Sequence, residues 1–386
     1  MERECIMKTP FVFGKLAVSS DFTDRTEDLI RIINNFESGT NTMLISPRRW
    51  GKSSLVKKAA EIVQDRNPKI KICFIDVFDV RTEQQFYQVL AEEVINATSS
   101  KLDEIGSLIQ KFMGKLLPKI SFRPENMDEI SLGFDWQELT RNASEVLDLA
   151  EKIAKEKDYK LLVCFDEFQN VAAFEQPLAF QKKLRSHWQK HQNVSYCLYG
   201  SKRHMMMDIF TSSSMPFYKF GDIMFLEKIS EDKWVPFIQG HFVETKKKIH
   251  EKEARLIARL VENHPYYVQQ LAQLSWLRTK TTCKAAVVYE SHETLMMHLS
   301  LLFQNITDSL SAMQVNFLKA LVMEETKLSS KEVLDRYELV SSANISQLKR
   351  ALANREIIDI VTDKINFTDP IYKEWLRRFY FKIKQS

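Results

Sequence analysis

Short apolar runs alternate with amphipathic stretches through the first 228 residues. Thr42–Ile45, Ile70–Val77, Lys160–Phe165, Val194–Tyr199 and Ile223–Leu226 are apolar and nearly free of charge. That is the pattern of strands buried on both faces. Between them, Ser53–Val63, Thr82–Ile95, Trp136–Lys155 and Gln181–His191 carry apolar residues at helical spacing. Strands alternating with helices predict an α/β fold, a parallel sheet flanked by helices. One segment breaks the pattern. Ile120 and Phe122, then Ile130, Leu132 and Phe134, alternate with polar residues about 123–128, which predicts a β-hairpin insertion before the helix at Trp136.

Beyond Lys228 the strand pattern stops. Glu231–Phe242, Lys248–Glu262, Tyr266–Arg278 and Glu290–Ser300 read as amphipathic helices. From about Leu310 come helices at Ala312–Met323, Ser329–Tyr337 and Asn344–Asn354, then two strand-like pieces, Ile357–Val361 and Lys364–Phe367. Three helices and a small hairpin predict a winged helix-turn-helix, with Ser329 and Ser330 as candidate caps of its second helix. The expected domains are 1–228, an α/β core; 229–308, an all-α lid; and 309–386, the winged helix.

Composition narrows the field. The chain has 386 residues, 27% of them charged, and a net charge of +4. This permits contact with nucleic acid without predicting it. Five cysteines, Cys5, Cys73, Cys164, Cys197 and Cys283, form no CxxC pair, which argues against a disulfide framework or a zinc ribbon. No apolar run approaches the ~20 residues that span a bilayer, and the first ten residues lack a signal-peptide core. A reducing, cytoplasmic setting with no membrane partner is the expectation.

The strongest chemical signal runs from Thr42 to Leu55. An apolar strand leads into Ser46-Pro47-Arg48-Arg49-Trp50, and then Gly51-Lys52-Ser53-Ser54 opens a helix. A P-loop needs this order, because backbone N–H groups and the helix N-terminus must face the phosphates. Lys52 would reach the β- and γ-phosphates and the Ser53 hydroxyl would ligate Mg2+. Gly51 would let the backbone approach closely. Arg48 and Arg49 would either aid catalysis or serve only to attract phosphate. Ser46 stands where G-x-x-x-x-G-K-[ST] has its first glycine.

A second signal completes the first. Leu161 to Phe165 is an apolar run ending in Asp166 and Glu167. Acids at a strand's C-terminal end lie at the crevice where α/β sheets take ligands. Asp166 would hold the Mg2+ shell and Glu167 would polarise an attacking water.

At these residues the chain resembles the archaeal-type P-loop ATPases of the AAA+/STAND division, over nearly its whole length. Ser46 to Ser53 is similar to the family's G-P-R-R-x-G-K-T/S loop, and Phe22 to Asp28 to its F-x-x-R-x-x-E/D element. That resemblance implies ATP as the ligand and places Arg25 near the adenine. Tyr199-Gly200-Ser201 resembles the family's sensor strand, which puts Ser201 close to the γ-phosphate. Asn263-His264-Pro265-Tyr266-Tyr267 is similar to a lid element, so His264 and Pro265 are expected to face the nucleotide. Phe367 to Leu376 resembles the D-P-x-x-x-x-W-L segment that closes the family's winged helix. The family often carries Y-G-R after the sensor strand, where this chain reads Tyr218-Lys219-Phe220.

The expected catalytic residues are therefore Glu167, Lys52 and Ser201. Ser46 to Ser54, Arg25, His264 and Pro265 are the expected nucleotide contacts, and Ser53 and Asp166 the Mg2+ ligands. The expected function is a slow Mg2+-dependent ATPase acting as a nucleotide-driven switch on protein partners or on itself. The alternatives are an ATP-regulated DNA-binding protein and a switch that binds without hydrolysing. For DNA, Asn344, Ser346, Gln347, Lys349, Arg350 and Arg355 sit on or beside the third winged-helix helix, while Ile345, Leu348 and Leu352 must pack inward. Residues 301–386 carry a net charge of only about +2, far from a strongly basic stripe. Among lesser signals, His187 and His191 share a helix face without a third zinc ligand. Arg203 is a weaker phosphate candidate, Met205 to Met207 suit packing, and Lys246 to Lys248 read as a solvated helix end.

Overall fold

The computed structural model describes residues 9–14, 25–99, 111, 122–126, 129–132, 142–361 and 364–383. Cys5, Phe22, Ile120, Phe134 and Trp136 lie outside the described residues. The chain forms two compact units: one holds Arg25–Arg48 and Lys52–Glu227, the other holds the remainder.

The first unit begins with α1 (Thr26–Ser38), β1 (Thr42–Ile45), α2 (Lys52–Arg66), β2 (Ile70–Asp76) and α3 (Glu83–Thr98), whose cap, Thr82, accepts from the Gln85 N–H. The expected hairpin is present as β3 (Phe122–Asn126) and β4 (Glu129–Leu132), antiparallel with Phe122 opposite Leu132. Then come α4 (Ala143–Leu147), α5 (Leu149–Glu156), β5 (Lys160–Asp166), α6 (Pro177–Trp188), β6 (Val194–Gly200), α7 (Arg203–Thr211) and β7 (Asp222–Phe225). The sheet runs β2-β5-β6-β1-β7, all parallel, as the apolar runs predict. Every residue of β6 is buried, which is why that run lacks alternation. Pairing brings Ile45 level with Gly200, and Asp76 level with Asp166. The C-terminal ends of β1, β5 and β6 thereby form one edge, from which the chemistry projects.

Within 136–155 the described helix is interrupted at Asp148, contrary to the single helix expected. The interruption is one residue deep, since Asp148 N–H still donates to the Ser144 carbonyl and Lys152 N–H to that of Asp148, and Asp148 Oδ1 lies 2.7 Å from His187 Nδ1 and 3.1 Å from His191 Nε2. Those histidines do share a face, and their partner is a carboxylate. Among the described residues no group of three His, Cys, Asp or Glu could hold a metal.

The second unit has its own core, continuous from Phe11 through Trp234, Leu271, Leu295, Phe317 and Leu352 to Leu376. It contains α8 (Glu231–Glu244), β8 (Lys248–Ile249), α9 (Glu251–Leu260), α10 (Pro265–Arg278), β9 (Thr282–Cys283) and α11 (Ala285–Asp308). Strands do not stop at Lys228, since β8 and β9 pair in parallel. Two residues are too few to show any period. The winged helix follows as α12 (Ala312–Val322), α13 (Lys331–Arg336), α14 (Ser342–Asn354), β10 (Ile358–Val361), β11 (Lys364–Phe367) and α15 (Pro370–Trp375). Ser330, not Ser329, caps α13 by accepting from the Val333 N–H. Lys247 is not simply solvated: its ammonium lies 4.1 Å from the Trp276 ring centroid and donates to the Trp276 carbonyl. Among the described residues no helix is long and apolar enough to cross a membrane.

Candidate functional site

The first unit gathers Lys52, Ser53, Asp166, Glu167, Ser201 and Arg48 into one network. Lys52 and Ser53 open α2, so their side chains leave the helix start next to the end of β5. Lys52 Nζ, 9% exposed at the side chain, donates to Glu167 Oε1 at 2.9 Å and lies 3.8 Å from Asp166 Oδ1. The Ser53 hydroxyl donates to Asp166 Oδ2 at 2.8 Å. Glu167 N–H donates to Asp166 Oδ1, also at 2.8 Å. Glu167 Oε2 accepts from the Ser201 hydroxyl at 2.8 Å and its N–H at 3.3 Å. Arg48 Nε donates to the same hydroxyl at 3.3 Å.

The backbone here is held in uncommon conformations. Glu167 has φ 54° and Gly51 has φ 90°. A left-handed non-glycine residue costs of order 1–2 kcal/mol and persists only where its surroundings over-determine it. At Glu167 the surroundings are Lys52, Ser201 and Gln169, whose Nε2 donates to Oε2 at 2.5 Å.

The two acids respond differently to their burial. Burial pushes the Glu167 carboxyl up, but Lys52 beside it and the donors Gln169 and Ser201 outweigh that and hold it at about 2. For Asp166 burial prevails over Lys52 and the Ser53 hydroxyl, so its carboxyl is raised.

Ser46, fully buried, donates its hydroxyl to the Pro47 carbonyl at 3.0 Å, and Ser54 is buried one residue beyond Ser53. Arg25, also buried, is not part of the network. Its guanidinium bonds Asp28 at 3.2 Å and the Glu227 carbonyl at 3.0 Å. Arg203 lies over the Phe225 ring at 5.2 Å, and Met206 is buried in the core.

The second unit brings together Arg49, Trp50, His264 and Tyr266. The Arg49 guanidinium lies 4.7 Å from the Tyr266 ring centroid, a cation–π arrangement. The Trp50 and His264 rings meet edge to face at 6.4 Å. His264 stands at the N-cap position of α10, whose first residue is Pro265, without a capping bond from its side chain. Burial, with Lys228 and Arg49 nearby, drives the imidazole down to about 3, so it is neutral at physiological pH. The Tyr267 hydroxyl donates to Asp369. Asp369 in turn caps α15, accepting from the N–H groups of Ile371 and Tyr372 at 2.9 and 3.0 Å. Sequence reasoning missed Gln169 and the Tyr267–Asp369 bond. Both residues lie inside or beside recognised motifs, but nothing in their spacing marks the partner.

A family model described as "ATPase domain predominantly from Archaea" matches residues 22–271. A second, described as "Probable winged helix domain", matches residues 301–378. No curated protein matches the chain. Among solved structures the fold is similar to the Walker-type ATPase paby2304 of Pyrococcus abyssi, with a TM-score of 0.67 and 18% identity over 95% of this chain and 99% of that one. It is also similar to the ORC2 protein of Aeropyrum pernix in its ADPNP–ADP complexes, with a TM-score of 0.56 and 13% identity over 95% and 94% of the two chains. At these identities the likeness is one of fold. The match to the ATPase model covers well over half of the residues, so the chain belongs to the family of ATPase domains found predominantly in Archaea, here followed by a winged helix domain.

Proposed function

We propose that the chain binds ATP with Mg2+, hydrolyses it slowly, and serves as a nucleotide-driven switch. The observation that carries the reading is the convergence of Lys52, Ser53, Asp166, Glu167 and Ser201 at the ends of β1, β5 and β6. Ser53 and Asp166 suit Mg2+: a hydroxyl and a carboxylate, both hard oxygen donors, already lie within 2.8 Å of each other. Bound there, the cation would neutralise charge on the phosphate oxygens.

The protein's own groups supply the rest. Lys52, exchanging Glu167 for the phosphates, is the cation of the loop. Gly51 and its neighbours offer backbone N–H groups at the start of α2. Glu167, once Lys52 has left it, orients and polarises the attacking water. Ser201 touches both Glu167 and Arg48, so it can report the state of the γ-phosphate. The switch reading is supported by a run of contacts in the second unit, from Arg49 in the loop to Tyr266, and from its neighbour Tyr267 to Asp369 at the head of α15. We place Arg25, His264 and Pro265 in the nucleotide-binding set.

DNA binding is the second reading. Ser346, Gln347 and Arg350 on α14 face solvent while Ile345, Leu348 and Leu352 are buried, the division a groove-reading helix requires. Phosphate release from ATP by wild type, Lys52→Ala and Glu167→Gln, with and without duplex DNA, tests both readings. Loss of release in both variants supports the ATPase. A salt-sensitive stimulation by duplex supports the DNA reading. Release that survives Lys52→Ala refutes the assigned site.

A further inference from the structure

Gln169 sits in the 3-10 turn Phe168–Ala173 that follows the acid pair, and it is 1% exposed. Its Nε2 donates to Glu167 Oε2, while its Oε1 is buried without a hydrogen-bond partner among the described residues. An amide that served only to fill space would be replaced at no loss by leucine or methionine, since a buried unmet carbonyl is costly. What offsets that cost is a charge-assisted bond to a carboxylate.

The facing strand is shaped for this side chain. A Cβ at Gly200 would lie 1.9 Å from Gln169 Oε1 and 2.9 Å from Met206 Sδ. Gly200 is not among the glycines with positive φ, so the room, not the backbone conformation, requires it. Gly200 immediately precedes Ser201, the other donor to Glu167 Oε2. Two residues therefore fix Oε2, Gln169 through its amide and Ser201 through its hydroxyl and its N–H, and Lys52 occupies Oε1.

We infer that Gln169, seated on Gly200, is a positioning residue: it holds Glu167 in place when Lys52 turns to the nucleotide, leaving Oε1 as the oxygen that meets water. The inference rests on the ATPase reading above. It predicts that Gln169→Leu lowers kcat by about tenfold to a hundredfold with KM for ATP within about twofold. Gly200→Ala, which leaves the amide in the chain but evicts it, should give a similar fall. In the Gln169→Ala background Gly200→Ala should add far less than in wild type, because only the flexible Met206 thioether still crowds the new Cβ, so the pair is strongly non-additive.

The experiment measures phosphate release, ATP affinity and melting temperature for these variants, and adds a nucleotide-free crystal structure of Gln169→Leu. Expected are the kcat-selective loss, the non-additivity, and a Glu167 carboxylate displaced from Ser201. Melting temperature or KM falling with kcat intact would show a merely structural glutamine and overturn the inference. If wild type releases no phosphate, the ATPase reading fails, and the crystal structure still decides: Glu167 unmoved in Gln169→Leu refutes the positioning role, and Glu167 displaced upholds it.

Discussion

His264 offers a test of the second unit that needs no nucleotide. The imidazole is 4% exposed, and burial together with Lys228 and Arg49 holds it at about 3, against an ordinary value of 6.5. The folded-state value is depressed, so between pH 6.5 and pH 3 the unfolded chain binds a proton that the folded chain refuses. Stability contributed by the neutral ring is therefore fully present above pH 6.5 and is lost as pH falls toward 3. At pH 5 the unfolded ring lies 1.5 pH units below its ordinary value, which costs about 2 kcal/mol at about 1.4 kcal/mol per unit. For a unit of roughly 150–250 residues that corresponds to a melting shift of about 4–8 °C. His264→Gln removes the titrating group and keeps a polar side chain of similar length. Its loss of the Trp50 contact adds an offset that does not vary with pH. Melting curves of wild type and variant from pH 7.5 to 5 should converge or cross as pH falls, the difference moving by those 4–8 °C. The many other titrating groups cancel in the difference, because both proteins share them. A gap that stays constant across the range would refute the burial of a neutral ring.

Tyr267→Phe deprives half-buried Asp369 of one donor while the two backbone N–H groups remain, and should cost about 1–3 kcal/mol in urea unfolding of the second unit. Gly51→Ala meets no atom within 4 Å of the added Cβ, so its penalty is the φ of 90°; expect about 1–2 kcal/mol of destabilisation, and a clear loss of ATP affinity by equilibrium titration. Cys73, Cys164, Cys197 and Cys283 are buried, and burial pushes the thiols of Cys73 and Cys164 up. A thiol reagent at pH 8 should therefore label none of the four until denaturant is added, as mass spectrometry would read.

The sheet was legible because its central strands β1, β5 and β6 are buried on both faces and all five are bounded by helices of a different period, so β1, β2, β5, β6 and β7 stand within a residue or two of the apolar runs. Lys52, Ser53, Asp166 and Glu167 were legible for a related reason: each ends or directly follows a strand or opens a helix, and sequence order alone fixes where they project. What escaped depends on partners distant in the chain. The partners of Asp148 are His187 and His191, some forty residues on. The pairing of Lys248–Ile249 with Thr282–Cys283 is two residues deep. Phe11 joins the second unit's core beside Phe237, His241 and Phe242, and Val12 N–H donates to Gln269, contacts that no local pattern at the N-terminus announces.

Glycine shows most clearly what a motif does and does not encode. The chain has only nine, and at Ser46 it lacks the one that the phosphate-loop pattern asks for. Ser46 is not among the residues with positive φ, and its hydroxyl is satisfied by the Pro47 carbonyl. Neither conformation nor crowding therefore demands glycine there. Gly51 is different, since its φ of 90° does demand one. Gly200 is different again: its backbone would accept a side chain, and Gln169 would not. The three positions look alike to a pattern of letters, yet one is free, one is fixed by its own dihedral angle, and one is fixed by a side chain thirty-one residues earlier. A substitution at each should separate those causes, because only at Gly200 can the penalty be relieved by shortening a second residue.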